Sequence, residues 1–314
     1  MPVFIHLYLY IFFVLHHPVL FDIIHDIYSE VSPRKYVVDA TQGLGGHIKM
    51  LIDGLDRDGI CIGIDRDIEN IKIAEENLKN AKNHASVHSS FENLLSILED
   101  QNIDEIDFIL YDLGVSSAHY DDSSRGFSFR FDGPLDMRFD RTKGKTASQF
   151  LLSSTEKDLV EIFRKYADEK KPYFVARAIL EYQQQKPIET TDELVKIIEK
   201  ASFDKKSVMR VFQAIRIAVN DEFTHIESSL HQAIQKLRIG GRIAVVTFHS
   251  IEDRIVKKLF AQYLQDEIDD ITGMIIRKAN YKKYTKKPIV PKPEEIEANP
   301  RARSAKLRVL ERVS

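Results

Sequence analysis

A single cysteine stands among the 314 residues, which excludes an intramolecular disulfide framework and a cysteine-rich zinc site and points to a reducing compartment. Cys61 itself lies in the apolar run Ile60-Cys61-Ile62 and reads as a small core residue. An apolar run long enough to cross a bilayer is also lacking. Residues 3–15 are apolar and aromatic but broken by His6 and closed by His16-His17-Pro18, against the roughly 20 residues a span requires. The run has no basic stretch before it, no small residues after it and no arginines, so it fits neither a secretory signal nor a transit peptide. Residues 1–16 are read as an extra N-terminal segment packed on the fold, or as translation from an upstream start, with no stable membrane attachment expected.

Surplus charge is missing too. A net charge of −3 excludes a protein that coats nucleic acid by overall charge, though not a local basic patch. One such patch runs through Arg277, Lys278, Lys282, Lys283, Lys286, Lys287 and Lys292, interleaved with Tyr281 and Tyr284, and continues in Arg301, Arg303, Lys306 and Arg308. The eleven histidines make no metal pattern, since His84 and His88 adjoin a predicted strand, and no metal is expected. No nucleophile elbow surrounds His249-Ser250, which argues against a hydrolase. No internal repeat or low-complexity tract interrupts a chain that is 43% hydrophobic and 30% charged, the balance of an ordinary soluble globular protein.

What is present is alternation. Residues 35–41 read as a short buried strand that runs into Gln42-Gly43-Leu44-Gly45-Gly46-His47, followed by Ile48, Leu51, Ile52 and Leu55 at helical spacing. Further strands are predicted at 59–64, ending at Asp65, at 85–88, and at 106–111, ending at Asp112, with helix through Ile71, Ala74 and Leu78. Strands alternating with helices predict a parallel sheet covered on both faces. The rhythm then breaks. Residues 116–140 read as a long loop, Thr146–Gln149 and Thr190–Glu193 have capping-box spacing, residues 174–182 read as helix, and residues 208–237 as one long helix stopped by Gly240-Gly241. A strand at 242–248 ending at His249, a helix at 251–264 and a strand at 305–313 resume the pattern. The expectation is a Rossmann-like α/β sheet formed by 17–123 and 213–314, interrupted by a mainly helical insert over 124–212.

The strand, glycine loop and helix at 37–55 form a nucleotide-binding unit. Glycines let backbone approach a ligand, and the helix start offers free N–H groups. Asp65, closing the next strand, is placed to accept ribose hydroxyls. A dinucleotide fold would require G-x-G-x-x-G, whereas Gly43-Leu44-Gly45-Gly46-His47 lacks the third glycine in its place. A methionine-bearing adenosine needs no pyrophosphate cradle, and the dehydrogenase reading becomes a minor alternative.

Several longer motifs can be matched together. They are His17-Pro18-Val19-Leu20, Asp39-Ala40-Thr41, Gly63-Ile64-Asp65-Arg66-Asp67, Asp112-Leu113-Gly114-Val115-Ser116-Ser117, Arg125-Gly126-Phe127-Ser128-Phe129 and Gly133-Pro134-Leu135-Asp136-Met137-Arg138. Phe212-Gln213-Ala214-Ile215-Arg216-Ile217, Phe248-His249-Ser250-Ile251-Glu252-Asp253-Arg254 and Asn299-Pro300-Arg301-Ala302-Arg303-Ser304 follow. Together they closely resemble the small-subunit ribosomal RNA cytosine-N4 methyltransferases, the RsmH (MraW) family, over nearly everything from His17 onward. The resemblance implies methyl transfer from S-adenosylmethionine to a cytidine N4 in the decoding region. It implies cofactor contacts at Gly45, Gly46, His47, Asp65, Phe91, Asp112 and His119, the last standing where the family usually has Gln. Conservative changes such as Ile251 for the usual Leu disturb nothing.

Cytosine N4 is a poor nucleophile, so alignment and an acceptor for its N–H carry the chemistry. Asp112-Leu113-Gly114 occupies the place where many amino-methyltransferases have Asn/Asp-Pro-Pro-aromatic, and Asp112 is expected at the junction of cofactor and amine. His249 is expected to face the target with Asp253 or Arg254 nearby; a structural histidine is the competing reading. RNA contacts are expected from Arg125, Arg130 and Arg138 with Phe127 and Phe129, from Gln213, Arg216 and Asn220, from Arg254, and from Arg301 and Arg303. Salt-bridging arginines and core phenylalanines remain the alternative for each. The expected partner is small-subunit ribosomal RNA or the assembled subunit, in a bacterial cytoplasm with an organellar matrix as the alternative, for a monomer or homodimer. A methyltransferase of another substrate and a non-catalytic assembly factor with the same fold are the rival functions.

Overall fold

The computed structural model describes residues 18–269 and 272–314; the apolar run over 3–15 lies outside them. Contacts divide the chain into two units. One takes the described residues up to Gly114 and resumes at His225, and the other is Val115–Thr224.

In the first unit, strands β1 (Tyr36–Asp39), β2 (Ile60–Asp65), β3 (His84–His88), β4 (Ile106–Asp112) and β5 (Leu237–Thr247) lie parallel. A separate antiparallel pair, β6 (Glu267–Ile268) and β7 (Ile275–Arg277), follows. The main sheet is then completed by β8 (Tyr281–Lys283) and β9 (Lys306–Arg312). Strand β9 pairs antiparallel with β5, and β8 with β9, in the order β3-β2-β1-β4-β5-β9-β8. Strands β1, β2 and β4 are nearly continuous apolar runs, as parallel strands covered on both faces must be. Helices α1 (Phe21–Ser29), α2 (Gly46–Asp53), α3 (Ile68–Asn77) and α4 (Leu94–Asp100) belong to the same unit, with Ile24, Ile27, Tyr28, Ile48 and Leu51 in the core beside Val37 and Phe108. Strand β1 pairs with β2 on one side and β4 on the other, so the winding reverses between β1 and β4. Ligands of open α/β sheets collect outside the strand ends at such a switch point. Here those ends are Asp39, Asp65 and Asp112.

The second unit is mainly helical. Its elements are α5 (Ser117–Asp121), α6 (Ala147–Ser153), α7 (Glu156–Ala167), α8 (Pro172–Gln183), α9 (Thr191–Ser202) and α10 (Lys205–Asn220). Leu151, Leu159, Phe163, Val175, Ile179, Leu194, Ile198, Val211 and Ile215 form its core. The capping boxes at Thr146 and Thr190 are made, and a third at Thr155 with Asp158 opens α7.

Three expectations need correction. The second unit, Val115–Thr224, is wider at both ends than 124–212, with Ala214 and Ile215 buried in its core beyond one end and Val115 packed against it beyond the other. The long helix over 208–237 is two, α10 and α11 (Glu222–Lys236), parted by Asp221 at φ 48. Gly240-Gly241 does not stop a helix but sits inside β5, where the register against β4 shifts and Gly240 takes φ 79. A Cβ on Gly241 would lie 2.9 Å from Asp107 O, so the glycines serve a strand irregularity.

Candidate active site

The glycine loop is held by the strand ends it connects. Ala40 N–H donates to Leu110 O and Gln42 N–H to Ile64 O, both at 2.9 Å. Gly45 has φ 96 immediately before α2, the left-handed region where glycine is least strained. Gly63 is required by close approach, since a Cβ there would stand 1.9 Å from Gln42 Oε1 and 2.6 Å from Ile48 Cδ1. Asp65 accepts Gly43 N–H at 2.8 Å on Oδ2 and Asp67 N–H at 2.7 Å on Oδ1. It therefore fixes the loop to the end of β2, a role the sequence did not announce.

Asp112 lies next to that loop. Its N–H donates to Thr41 Oγ1 at 2.7 Å, and its Oδ2 stands 3.6 Å from Nε2 of the buried His47. Burial pushes its carboxyl up to about 8, with the Asp39 and Glu252 carboxylates adding to the rise. Burial likewise lifts Asp39 to about 7, aided by Asp65 and opposed by the hydrogen bonds from Thr41. Asp112 Oδ1 and Asp39 Oδ2 are buried and accept no hydrogen bond among the described residues. A strand edge with this concentration of buried carboxylate is short of positive charge. It suits a ligand carrying a sulfonium and an ammonium, as S-adenosylmethionine does, and would repel a pyrophosphate.

Phe91 opens a 3-10 turn, Phe91–Asn93, just after β3, and its ring stands edge-on to Tyr111 at 5.8 Å. The neighbouring Glu92 Oε2 lies 2.6 Å from Nε2 of His225, whose Nδ1 is 3.2 Å from Arg66 Nη1. A guanidinium nitrogen only donates, so Nδ1 accepts and Nε2 carries the hydrogen given to Glu92. His225 thus joins the residue after Asp65 to the residue after Phe91. Nothing in the local sequence of α11 signals this link.

The start of helix α12 (Ser250–Gln262) revises the surroundings expected for His249. Nδ1 of His249 accepts Glu252 N–H at 3.3 Å, its Nε2 stands 2.8 Å from Glu252 Oε1, and Glu252 Oε2 accepts Phe248 N–H at 2.8 Å. The partner is thus the residue three positions on, as a capping box dictates. Asp253 instead turns to Arg308 at 2.6 Å and Lys306 at 3.4 Å. Despite burial, which raises it, those cations hold its carboxyl below the usual range. Arg254 is exposed, as are Arg301 and Arg303 on the 3-10 turn Pro300–Ser304.

In the second unit most of the residues expected to touch RNA are engaged within the unit. Arg125 is buried and donates from Nη2 to Arg138 O at 3.0 Å and Phe139 O at 2.9 Å. Phe127 is in the core, its ring 5.0 Å from that of His119 and 5.2 Å from that of Phe139. His119 Nδ1 is 2.9 Å from Ser116 Oγ. Arg138 forks onto Asp136 at 2.7 and 2.9 Å, and Arg216 onto Glu222 at the same distances. Asn220 Oδ1 accepts Phe139 N–H at 2.9 Å while Nδ2 donates to Met137 O at 2.7 Å. Gln213 donates to Tyr166 O at 3.0 Å. Asn220 thus ties the long loop to α10, Arg125 and Arg138 brace the loop on itself, and Arg216 and Gln213 tie α10 to α11 and α7; Phe129 and Arg130 remain exposed.

Comparison with known proteins gives a consistent result. The model of the MraW methylase family matches residues 13–313. A protein of Halothermothrix orenii named ribosomal RNA small subunit methyltransferase H is 41% identical over 95% of this chain and 98% of its own. One of the same name from Caldicellulosiruptor saccharolyticus is 43% identical over 91% and 95%.

Proposed function

The chain belongs to the MraW methylase family, and from that premise we propose that it transfers the methyl group of S-adenosylmethionine to a cytidine N4 of small-subunit ribosomal RNA. The observation that carries the reading is the carboxylate edge of the sheet, with Asp112 at its centre. Gly45, Gly46, His47, Asp65, Phe91 and Asp112 would hold the cofactor. When bound, it supplies a methyl group already activated by a sulfonium.

The chain's own residues supply alignment, charge and a proton acceptor. The loop held by Asp65 brings backbone N–H groups to the ligand without intervening side chains. Asp39 and Asp112 oppose its positive charge from a site of low polarity, where such an interaction is stronger than in water. Asp112 Oδ1 accepts a hydrogen bond from the target amine, localising the nitrogen lone pair. As the nitrogen gains its methyl group it becomes cationic, and its proton passes to Asp112. A carboxyl lifted to about 8 is matched to that task near neutral pH. We place that activity in the cytoplasm.

Calorimetric titration with S-adenosylmethionine tests the reading. Affinity should rise between about pH 6 and about pH 7.5, as Asp39 and Asp112 begin to ionise while the ligand's ammonium is still charged, because a cationic ligand binds the ionised form. Affinity that falls over this interval would contradict the assignment of the carboxylate edge.

A further inference from the structure

One end of the second unit carries aromatic rings for which its core has no use. Glu169, buried in the turn between α7 and α8, accepts Ser207 Oγ at 2.9 Å and Arg210 Nε at 2.7 Å from the start of α10. Lys171, capping α8, donates from Nζ to Ser202 O at the end of α9, at 2.9 Å. These bonds gather the starts of α8 and α10 and the end of α9 at a single tip. Tyr173, Phe174, Phe203 and Met209 are exposed there, Phe174 to 67% and Phe203 to 87%. Phe203 takes φ 55 at the end of α9, a conformation glycine adopts freely and a phenylalanine only at a cost. The fold gains nothing from burying this ring, so its presence asks for another explanation.

The charges at the tip answer it. The Arg164 guanidinium lies 4.6 Å from the centre of the Tyr173 ring and Lys171 Nζ lies 5.8 Å from that of Phe203. Lys165, Lys170 and Lys206 are exposed alongside. Two of the acids there, Glu169 and Asp204, are engaged by Arg210 at 2.7 and 2.8 Å, while Asp168 and Glu199 are exposed. Cations interleaved with exposed ring faces complement phosphates and unpaired bases together.

We propose that this tip is a binding surface for single-stranded RNA, on which bases stack against Phe174 and Phe203 while Lys170, Lys171 and Lys206 meet the phosphates. The inference rests on the reading that the substrate is RNA. It adds a binding surface made of residues other than those of the carboxylate edge.

Fluorescence anisotropy with the full chain and a labelled single-stranded RNA of mixed sequence tests it. The double variant F174A/F203A should weaken binding about tenfold or more. The variant K170E/K206E should flatten the dependence of log Kd on log salt by about 0.7 for each phosphate that is no longer neutralised. Both variants alter exposed side chains and should melt as the wild type does. A wild type that fails to bind, or variants that match it in affinity and salt dependence, would overturn the proposal. So would sedimentation showing that F174A/F203A changes self-association while RNA affinity stays put, because the surface would then belong to a second copy. Methyl incorporation into small subunits, measured in parallel, reports separately on the active-site reading. RNA binding that depends on the tip, with no methyl transfer by the wild type, would sink that reading and support this one.

Discussion

Burial raises the carboxyl of Asp112 at the expense of stability, and the proposed function uses that rise. Its proton leaves near the ordinary carboxylate value in the unfolded chain and near 8 in the folded one. Between those values the folded state holds more protons, so stability is fully present below the unfolded value and is lost as pH rises through the folded one. Asp39 acts in the same sense up to about 7. The variant D112N carries no charge at any pH. It should resist urea better than the wild type at about pH 8 and match it near pH 4, where both side chains are neutral. Its methyl transfer should fall by on the order of 10² or more. Equal urea midpoints at both pH values would show that Asp112 is not strained by burial. The position of Asp112 was legible because an apolar strand ends on it, and Asp65 was legible for the same reason. The surroundings of Arg125, Phe127 and Asn220 were not: their types suit both RNA and a protein interior, and only packing decides which way a side chain in the loop or at the end of α10 turns.

The strands and helices of the sheet unit were readable because parallel strands must be apolar throughout and their helices must carry a stripe. Their ends were less so. Asp221 breaks a helix with a left-handed residue that is neither glycine nor proline, leaving no strong composition signal, and Gly240-Gly241 suited a helix stop as well as a strand irregularity. Gly63, in contrast, makes an element-level prediction with a definite sign. G63A should lower the melting temperature, at a cost of about 1–3 kcal/mol, because the added methyl meets Gln42 and Ile48. N220A should cost a similar amount, about 1–3 kcal/mol, by leaving the buried carbonyl of Met137 and the half-buried N–H of Phe139 without their partner. Thermal melting of both variants checks these values, and unchanged melting would mean that the loop is not held as described.

The described residues divide into a sheet unit, whose sequence stops after β4 and resumes at His225, and a helical unit between them, over a stretch where the strand rhythm of the sequence is lost and then returns. The exact borders were hidden because α10 continues the insert's core without a break in composition. On the basic C-terminal segment, the charge reversals R301E and R303E should weaken RNA binding more at low salt than at high salt. Anisotropy that shows no change at low salt would remove that segment from the interface. The most direct test of the account digests small-subunit RNA from cells lacking this chain and from the same cells supplied with it, and measures N4-methylcytidine by mass spectrometry. The account predicts the modified nucleoside with the wild type and a strongly reduced level with D112N. Its presence without the chain, or its failure to appear when the wild type is restored, would contradict the account.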